Sequence, residues 1–343
     1  MVPAVGSTRL PAVRDEWLAL HAEDAIDPEL PIIDAHHHLV DRADASRYVL
    51  ADLLADTASG HNIVATVCVE WQGHVETGVP EVEFANGVAE ASASGGHGSQ
   101  TRACAGIVSG ADLALGDAVE SVLIAHIEAG GGPRGRFKGV RYATATDPHQ
   151  GAWSPTPRRP DGLLAQSAVR HGFAKVVELG LTFDAYCYHE QLPEVVDLAR
   201  SFPEARIVLD HVGAPLGLGP YAGRRDQVFA DWREHIVQLA DCPNASVKLG
   251  GLGMSLFGFG LHERPTPPSS ETLARLWRPY FEACIELFGT RRAMFESNYP
   301  VDKASASYVV IWNAFKRVAA GCSTEEKTAL FAGTARDFYG LAT

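Results

Sequence analysis

Short apolar runs alternate with helical patterns from one end of this chain to the other, and no other feature of its 343 residues limits the fold as tightly. The runs are Pro31–His38, Ile63–Glu70, Arg102–Val108, Arg136–Tyr142, Ala174–Leu181, Ala205–His211, Ala245–Gly250 and Arg292–Asn298. Several are rich in Val and Ile and almost continuously apolar, as parallel strands covered on both faces should be. Helices are predicted between and after them, at Gly116–Ala129, Gly162–His171, Leu192–Ser201, Asp226–Ala240, Ser270–Phe288, Ala306–Ala320 and Thr324–Leu330, the last capped by Ser323. About eight strand–helix units predict an α/β fold, a (β/α)8 barrel. A doubly wound open sheet would call for a Gly-rich phosphate turn after the first strand, and none follows it. The barrel is assigned to residues 31–343, with residues 1–30 as an N-terminal extension.

Connection lengths say which rim carries function. The segments leaving the strands are long: Gln72–Ser99, Ala143–Asp161, Val212–Arg225 and Gly251–Ser269. The returns, such as Ser201–Glu204 and Asp241–Asn244, are short. Irregular chain therefore collects at the C-terminal rim, where barrel enzymes keep their active sites. Gly251–Ser269 mixes Gly with Met254, Phe257 and Phe259. It reads either as an apolar lid or as a loop packed on its own barrel.

Charge excludes some partners. Asp plus Glu number 42 against 29 Lys plus Arg, a formal net charge of −13. That balance argues against nucleic acid and against an anionic membrane. No apolar run approaches the roughly 20 residues a spanning helix needs. The first residues lack a charged start followed by an apolar stretch, so a cytoplasmic location is expected. None of the six cysteines forms a C-x-x-C pair. Buried reduced thiols are expected of them, rather than disulfides or a thiolate zinc site.

The sharpest local signal is Ile33-Asp34-Ala35-His36-His37-His38 at the end of the first strand. Strand alternation puts Asp34, His36 and His38 on one face and His37 on the other. If that face lines the barrel, two imidazoles converge at the rim, a pairing suited to zinc and similar divalent ions. The run Ile207-Val208-Leu209-Asp210-His211-Val212-Gly213 supplies a third imidazole, His211, with Asp210 expected on the opposite, structural face. Arg141 ends the fourth strand and Lys248 lies in the seventh. Either would hold a substrate carboxylate, and each would serve equally as half of a structural ion pair. Glu70, in phase with Cys68, is a reserve carboxylate pointing inward. His74, His149 and His189 follow strand ends and are read first as ordinary loop residues.

Taken together with Phe137-Lys138-Gly139-Val140-Arg141, Leu181-Thr182-Phe183-Asp184, Gln191-Leu192, Leu209–Pro215, Val247–Leu252 and Ala293–Val301, these runs stand in a recognisable order. The chain resembles the amidohydrolase-2 family of metal-dependent hydrolases from about Pro31 to Leu341. Within it, it is most similar to the branch of sugar lactonases and 2-pyrone-4,6-dicarboxylate lactonase. The resemblance implies a (β/α)8 barrel that hydrolyses a small ester, lactone or amide at its C-terminal rim. Other branches are decarboxylases or hydratases.

One departure stands out. Where the family's last strand usually ends in Gly-Ser-Asp-Trp-Pro-Val, this chain reads Glu296-Ser297-Asn298-Tyr299-Pro300-Val301. Asn298 occupies the place of the family's Asp, and an amide cannot take a proton from water. Glu296, two residues earlier on the same face, brings a carboxylate roughly 7 Å deeper at about 3.3 Å of rise per residue. It is expected either to reach the metal or water, with Asn298 as hydrogen-bonding partner, or to pair with Lys248 or Arg141.

The expected activity is hydrolysis of a small lactone or carboxylic ester with one divalent ion, Zn2+ by its donors, on His36, His38, His211 and Glu296. Glu296, Asn298 and His211 form the catalytic set, and Arg141, Lys248 and Glu70 the substrate-binding set. A metal-independent lactonase, a decarboxylase or hydratase, and an inactive ligand-binding barrel are the alternatives. The expected partner is a small molecule, with a carboxylate-bearing one suited to the cations, and homo-oligomerisation is left open.

Overall fold

In the computed structural model, which describes residues 11–41, 47–70, 78–95, 99–150 and 158–342, the chain forms one sheet of eight parallel strands. They are β1 (Ile32–His37), β2 (Ile63–Val69), β3 (Arg102–Gly110), β4 (Phe137–Ala143), β5 (Thr182–Tyr186), β6 (Arg206–Leu209), β7 (Ala245–Leu249) and β8 (Ala293–Phe295). Each pairs with its neighbour in chain order. The seam between the last strand and the first is bridged just past β8, where Asn298 N–H donates to His36 O (2.9 Å) and His38 N–H to Tyr299 O (2.6 Å). This is a (β/α)8 barrel, and it sets the ends of β1, β6, β7 and β8 side by side at one rim.

Apolar side chains pack in two separate bodies. Ile33, Ala65, Val67, Val69, Val108, Val208 and Met294 fill the barrel, closed off by Tyr339 and Leu341 of the C-terminal segment. A larger cluster lies between the sheet and the helices and includes Cys68, Cys104, Phe183, Trp232, Trp277 and Phe281. Burial of aliphatic and aromatic side chains of this size stabilises the fold by about 1.5–3 kcal/mol each. Residues 11–30 lie across this outer layer. Trp17 Nε1 donates to Arg264 O (3.0 Å), Asn313 Oδ1 accepts from Ile26 N–H (2.8 Å), and Lys316 Nζ donates to Asp27 O (2.7 Å).

Seven of the eight expected strands stand close to their predicted places. The fifth does not. Ala174–Leu181 was expected as strand, but most of it belongs to the helix Ser167–Glu178, and β5 begins only at Thr182. Val169, Phe173 and Val176 are buried at helical spacing, and Gly180, at φ +68°, reverses the chain before the strand. The expected loop Gln72–Ser99 holds the helix Val79–Ala93, opened by Pro80 in its first turn. Leu50–Thr57 is a further helix that was not foreseen. Ser323 caps as predicted, its Oγ accepting from Glu326 N–H while Glu326 accepts in return from Ser323 N–H. No described helix is long and apolar enough to cross a membrane. All six cysteines are free thiols, five of them buried.

Candidate active site

The first strand does not alternate regularly. Asp34 pairs with Thr66 and His37 with Cys68, so β1 carries one residue more than β2 over this stretch, a β-bulge. The bulge resets the phase. His36 and His38 share the barrel interior, whereas Asp34 turns toward the helix Tyr308–Val318 and does not join them, as plain alternation had suggested. Its carboxylate accepts from Ser297 N–H (2.8 Å), Ser297 Oγ (2.6 Å) and Tyr308 OH (2.9 Å). It thereby fastens β1 to the end of β8.

Three imidazoles meet inside the rim. His36 Nε2 lies 3.2 Å from His38 Nε2, and the ring centroids of His36 and His211 lie 4.7 Å apart. His38 Nδ1 faces Val69 O at 3.0 Å, and a carbonyl can only accept, so the proton sits on Nδ1 and the lone pair on Nε2. His211 Nδ1 lies 2.6 Å from Glu296 Oε1 and fixes the same tautomer against a carboxylate. His36 has two satisfactory arrangements. Its Nδ1 stands 3.0 Å from Glu296 Oε2 and 3.1 Å from Lys248 Nζ, so it either donates to the carboxylate or accepts from the ammonium. Burial, then the nearby Lys248 charge, pushes the His36 pKa down to about 4, and burial holds that of His38 lower than usual as well. Both rings are neutral at pH 7.

Glu296 is completely buried, and its oxygens face these imidazoles. Burial alone would raise its pKa, but the hydrogen-bonding His211 and His36 outweigh that and hold it below the carboxylate range. The cations expected as its possible partners are engaged elsewhere. Lys248 Nζ is 2.6 Å from Asp184 Oδ2 and 3.0 Å from Asp210 Oδ1. Arg141 Nε is 2.9 Å from Asp210 Oδ2, its Nη1 is 3.7 Å from Glu70 Oε1, and its guanidinium lies over the Tyr186 ring. Glu70 does reach the interior, but past the end of β2, while Cys68 faces the outer layer. Burial raises the Glu70 pKa against the pull of Arg141.

Asp210 corrects the sequence reading. It was expected on the opposite face, yet it bridges Lys248 and Arg141. The reason is that β6 stops at Leu209 and a tight turn begins at Asp210, with His211 and Val212 at φ +52° and +51°. Strand alternation no longer applies, and both side chains of the turn swing inward. Left-handed backbone at two non-glycine residues costs on the order of 1–3 kcal/mol each. Trp232 Nε1 holds the turn by donating to Val212 O (2.7 Å), and Glu296 Oε1 accepts from His211 N–H (3.2 Å). Asp184, in the middle of β5, had no assigned role. It accepts from Lys248 and from Tyr339 OH (2.8 Å), and burial lifts its pKa to about 6.

Asn298 meets a different carboxylate from the one expected. Its Nδ2 donates to Asp302 Oδ1 (2.8 Å), and Gly253 N–H donates to Asp302 Oδ2 (2.8 Å). Burial lifts Asp302 to about 7, the two donors opposing it. Asp302 was missed, although its place one helical turn after Asn298 is a visible cue. The glycines after β7 make room for the group: a Cβ on Gly251 would stand 2.5 Å from His211 Nδ1, and one on Gly250 would stand 2.3 Å from Glu296 Cγ.

Residues 33–341 match the family described as amidohydrolase. The chain belongs to the amidohydrolase family. Over 332 residues this amidohydrolase is 32% identical to the uncharacterized protein y4mH of Sinorhizobium fredii, covering 91% of this chain and 99% of that one. Over 161 residues it is 31% identical to the L-fucono-1,5-lactonase of Burkholderia multivorans, covering 46% of this chain and 51% of the lactonase. The crystal structure of an amidohydrolase from Burkholderia multivorans with bound zinc has the same fold, with a TM-score of 0.69 at 23% identity over 91% of this chain and 99% of that one.

Around the imidazoles, this amidohydrolase uses its loops mainly as packing. His189 packs edge-on against Tyr221, and His149 engages Asp147 through its backbone N–H (2.7 Å). His74 lies outside the described residues. Gly251–Ser269 is not a loose flap. Phe257 and Leu261 are buried, and Arg225 donates to Phe257 O and Gly258 O and stacks on the Phe259 ring.

Proposed function

We propose that this amidohydrolase hydrolyses a small sugar-type lactone and that His36, His38 and His211 would hold one divalent ion, zinc by the chemistry of an all-imidazole donor set. The observation that carries the reading is the 3.2 Å approach of His36 Nε2 to His38 Nε2. When His36 Nδ1 donates to Glu296, two buried lone pairs face each other, which favours a cation between them. Two nitrogens each about 2.0–2.1 Å from one zinc ion stand at a comparable spacing. When His36 instead accepts from Lys248, one oxygen of buried Glu296 loses its hydrogen bond, a costly state. The residues therefore fit an ion. When bound, such an ion polarises a carbonyl and acidifies water.

The chain's own groups do the rest. With His36 Nδ1 donating, Glu296 accepts both Nδ1–H protons and so leaves the lone pairs of His36 and His211 on Nε2. Its negative charge also strengthens them as donors. Lys248, with no exposed surface, balances Asp184 and Asp210, while Arg141, 5% exposed, is the cation that meets a substrate carboxylate or developing oxyanion. Partial similarity to an L-fucono-1,5-lactonase supports a lactone as the bond broken.

A second reading rests on the 2.6 Å His211–Glu296 pair. In it, His211 Nε2 takes the proton of the attacking water without metal, and Glu296 steadies the imidazolium. Metal analysis of the purified protein, followed by a sugar-lactone panel including L-fucono-1,5-lactone with and without chelator, tests both. Turnover lost on chelation and restored by zinc is expected. Turnover that survives complete metal removal favours the dyad. No turnover of any lactone rejects lactone hydrolysis.

A further inference from the structure

The bulge that aims His36 and His38 inward sends His37 outward, into a second cluster of donor atoms. His37, Cys68 and Cys104 each place one ligand atom within 4.8 Å of the others. All three are buried, and they come from three adjacent strands, so no spacing rule in the sequence betrays them. From this geometry we propose a second metal site, specific for a thiophilic divalent ion such as zinc or cadmium, held by His37, Cys68 and Cys104 on the outer face of the barrel.

Four observations support it. First, the backbone is distorted on both sides of the cluster. Besides the bulge in β1, β3 runs from Arg102 to Gly106 against only Ala65 to Val67 of β2, and Cys104 within that stretch has φ +51°. Non-glycine residues hold such angles only where the surroundings over-determine them, commonly at binding sites. Second, Cys104 N–H donates to Thr66 Oγ1 (2.9 Å), and the same hydroxyl lies 2.9 Å from His37 Nε2. Thr66 thus ties the Cys104 backbone and the His37 imidazole to one point. Third, His37 Nδ1 faces His38 O at 3.3 Å, an acceptor only, which leaves Nε2, 2.9 Å from the Thr66 hydroxyl, as the nitrogen that would exchange that hydrogen bond for the ion.

The fourth is charge. Two thiolates and a neutral imidazole cancel a dipositive ion, so the filled site adds no net charge to the apolar layer around Cys68 and Cys104. Binding releases the two thiol protons to solvent and forms two metal–sulfur bonds and one metal–nitrogen bond, with no change in oxidation state. The ion links β1, β2 and β3 directly behind His36 and His38. It is structural: it fixes the bulge without touching substrate.

Cobalt(II) tests this on the full-length protein, stripped of metal and kept reduced with a phosphine. Sulfur-to-cobalt charge transfer absorbs in the near ultraviolet, and cobalt bound only by imidazole and carboxylate lacks that band. The wild type is expected to develop the band and saturate it with a single equivalent of thiolate-bound cobalt. Cys68→Ser and Cys104→Ser should each lose about half of its intensity and the double variant all of it. His36→Ala/His38→Ala should keep it, which separates this site from the imidazole site. A wild type that shows no band at saturating cobalt overturns the proposal whatever the variants do. A band undiminished in the double variant, checked for folding by circular dichroism, overturns it as well.

Discussion

At the residue scale, Glu296 decides what the imidazoles can do, because one buried carboxylate serves two of them. Glu296→Gln keeps the shape but offers one acceptor oxygen and one donor nitrogen. His211 or His36 must then lose its Nδ1–H partner. Metal affinity should fall about 10–100-fold, as for other residues that orient a ligand from behind. Isothermal titration with zinc reads the loss, and unchanged affinity would remove Glu296 from this role. Asn298→Asp asks a different question. It sets a second carboxylate against Asp302, already raised to about 7. A carboxyl whose folded pKa is raised gives stability that is full below its unfolded pKa and lost as pH rises through the folded value. The new pair holds a proton still more tightly, so the loss extends further up in pH. Urea midpoints from pH 5 to 9 should show variant and wild type diverging as pH rises, and a gap constant with pH contradicts the pairing. His36, His38 and His211 were legible in the sequence because histidines at strand ends are rare enough to read one by one. Asp184, Asp210 and Asp302 were not: a lone Asp resembles a turn residue until the turn itself is placed.

Among elements, the strands carried more legible information than their phases. Val- and Ile-rich runs identified seven of the strands, but periodicity of two cannot foresee the bulge between Asp34 and His37 or the left-handed turn at His211. Those two irregularities bring His36, His38 and His211 together and turn Asp210 inward. The misplaced fifth strand has a related cause. Val176, Val177 and Leu179 favour a strand locally, yet tertiary packing of Val169, Phe173 and Val176 on one face makes most of that run helix. The helix Val79–Ala93 buries Ala85, Ala89 and Ser92 besides Val82 and Val88, and so small a face leaves a faint apolar stripe. The end of β7 offers a sharp test of how elements position the site. Gly251 has φ +73° and its missing Cβ would strike the His211 ring, whereas Gly180, at φ +68°, has no atom within 4 Å of its missing Cβ. Gly180→Ala should cost only the backbone term, roughly 1–2 kcal/mol. Gly251→Ala should cost more and also drive His211 off Glu296, with kcat falling out of proportion to stability. Equal kcat in the two folded variants would show that the ring has room to give.

For the whole molecule, the barrel interior is divided along its axis. Toward one end it is apolar, with Val67, Val208 and Met294 closed by Leu341; toward the rim, Asp184, Asp210, Glu296 and Glu70 surround Lys248 and Arg141. Packing supplies the stability, and the charged layer spends part of it to hold ionised groups away from water. Lys248 is the keystone of that layer, since burial works against its charge and only Asp184, Asp210 and Glu296 keep it protonated. Lys248→Met matches its length and apolar stem but leaves those carboxylates short of a cation. The cost should be about 3–5 kcal/mol at neutral pH, the usual penalty for breaking a buried pair from one side. Its pH dependence carries the diagnosis. Without the ammonium, the folded-state pKa of Asp184, already lifted to about 6, rises further, and that of Asp210 rises from below its usual range. The variant is then closest to wild type in acid, where both carboxyls are protonated, and loses ground as pH climbs through the raised values. Urea denaturation at pH 5 and pH 8 measures this directly, with the larger deficit expected at pH 8. A deficit equal at both values would mean that Lys248 acts through its packing alone.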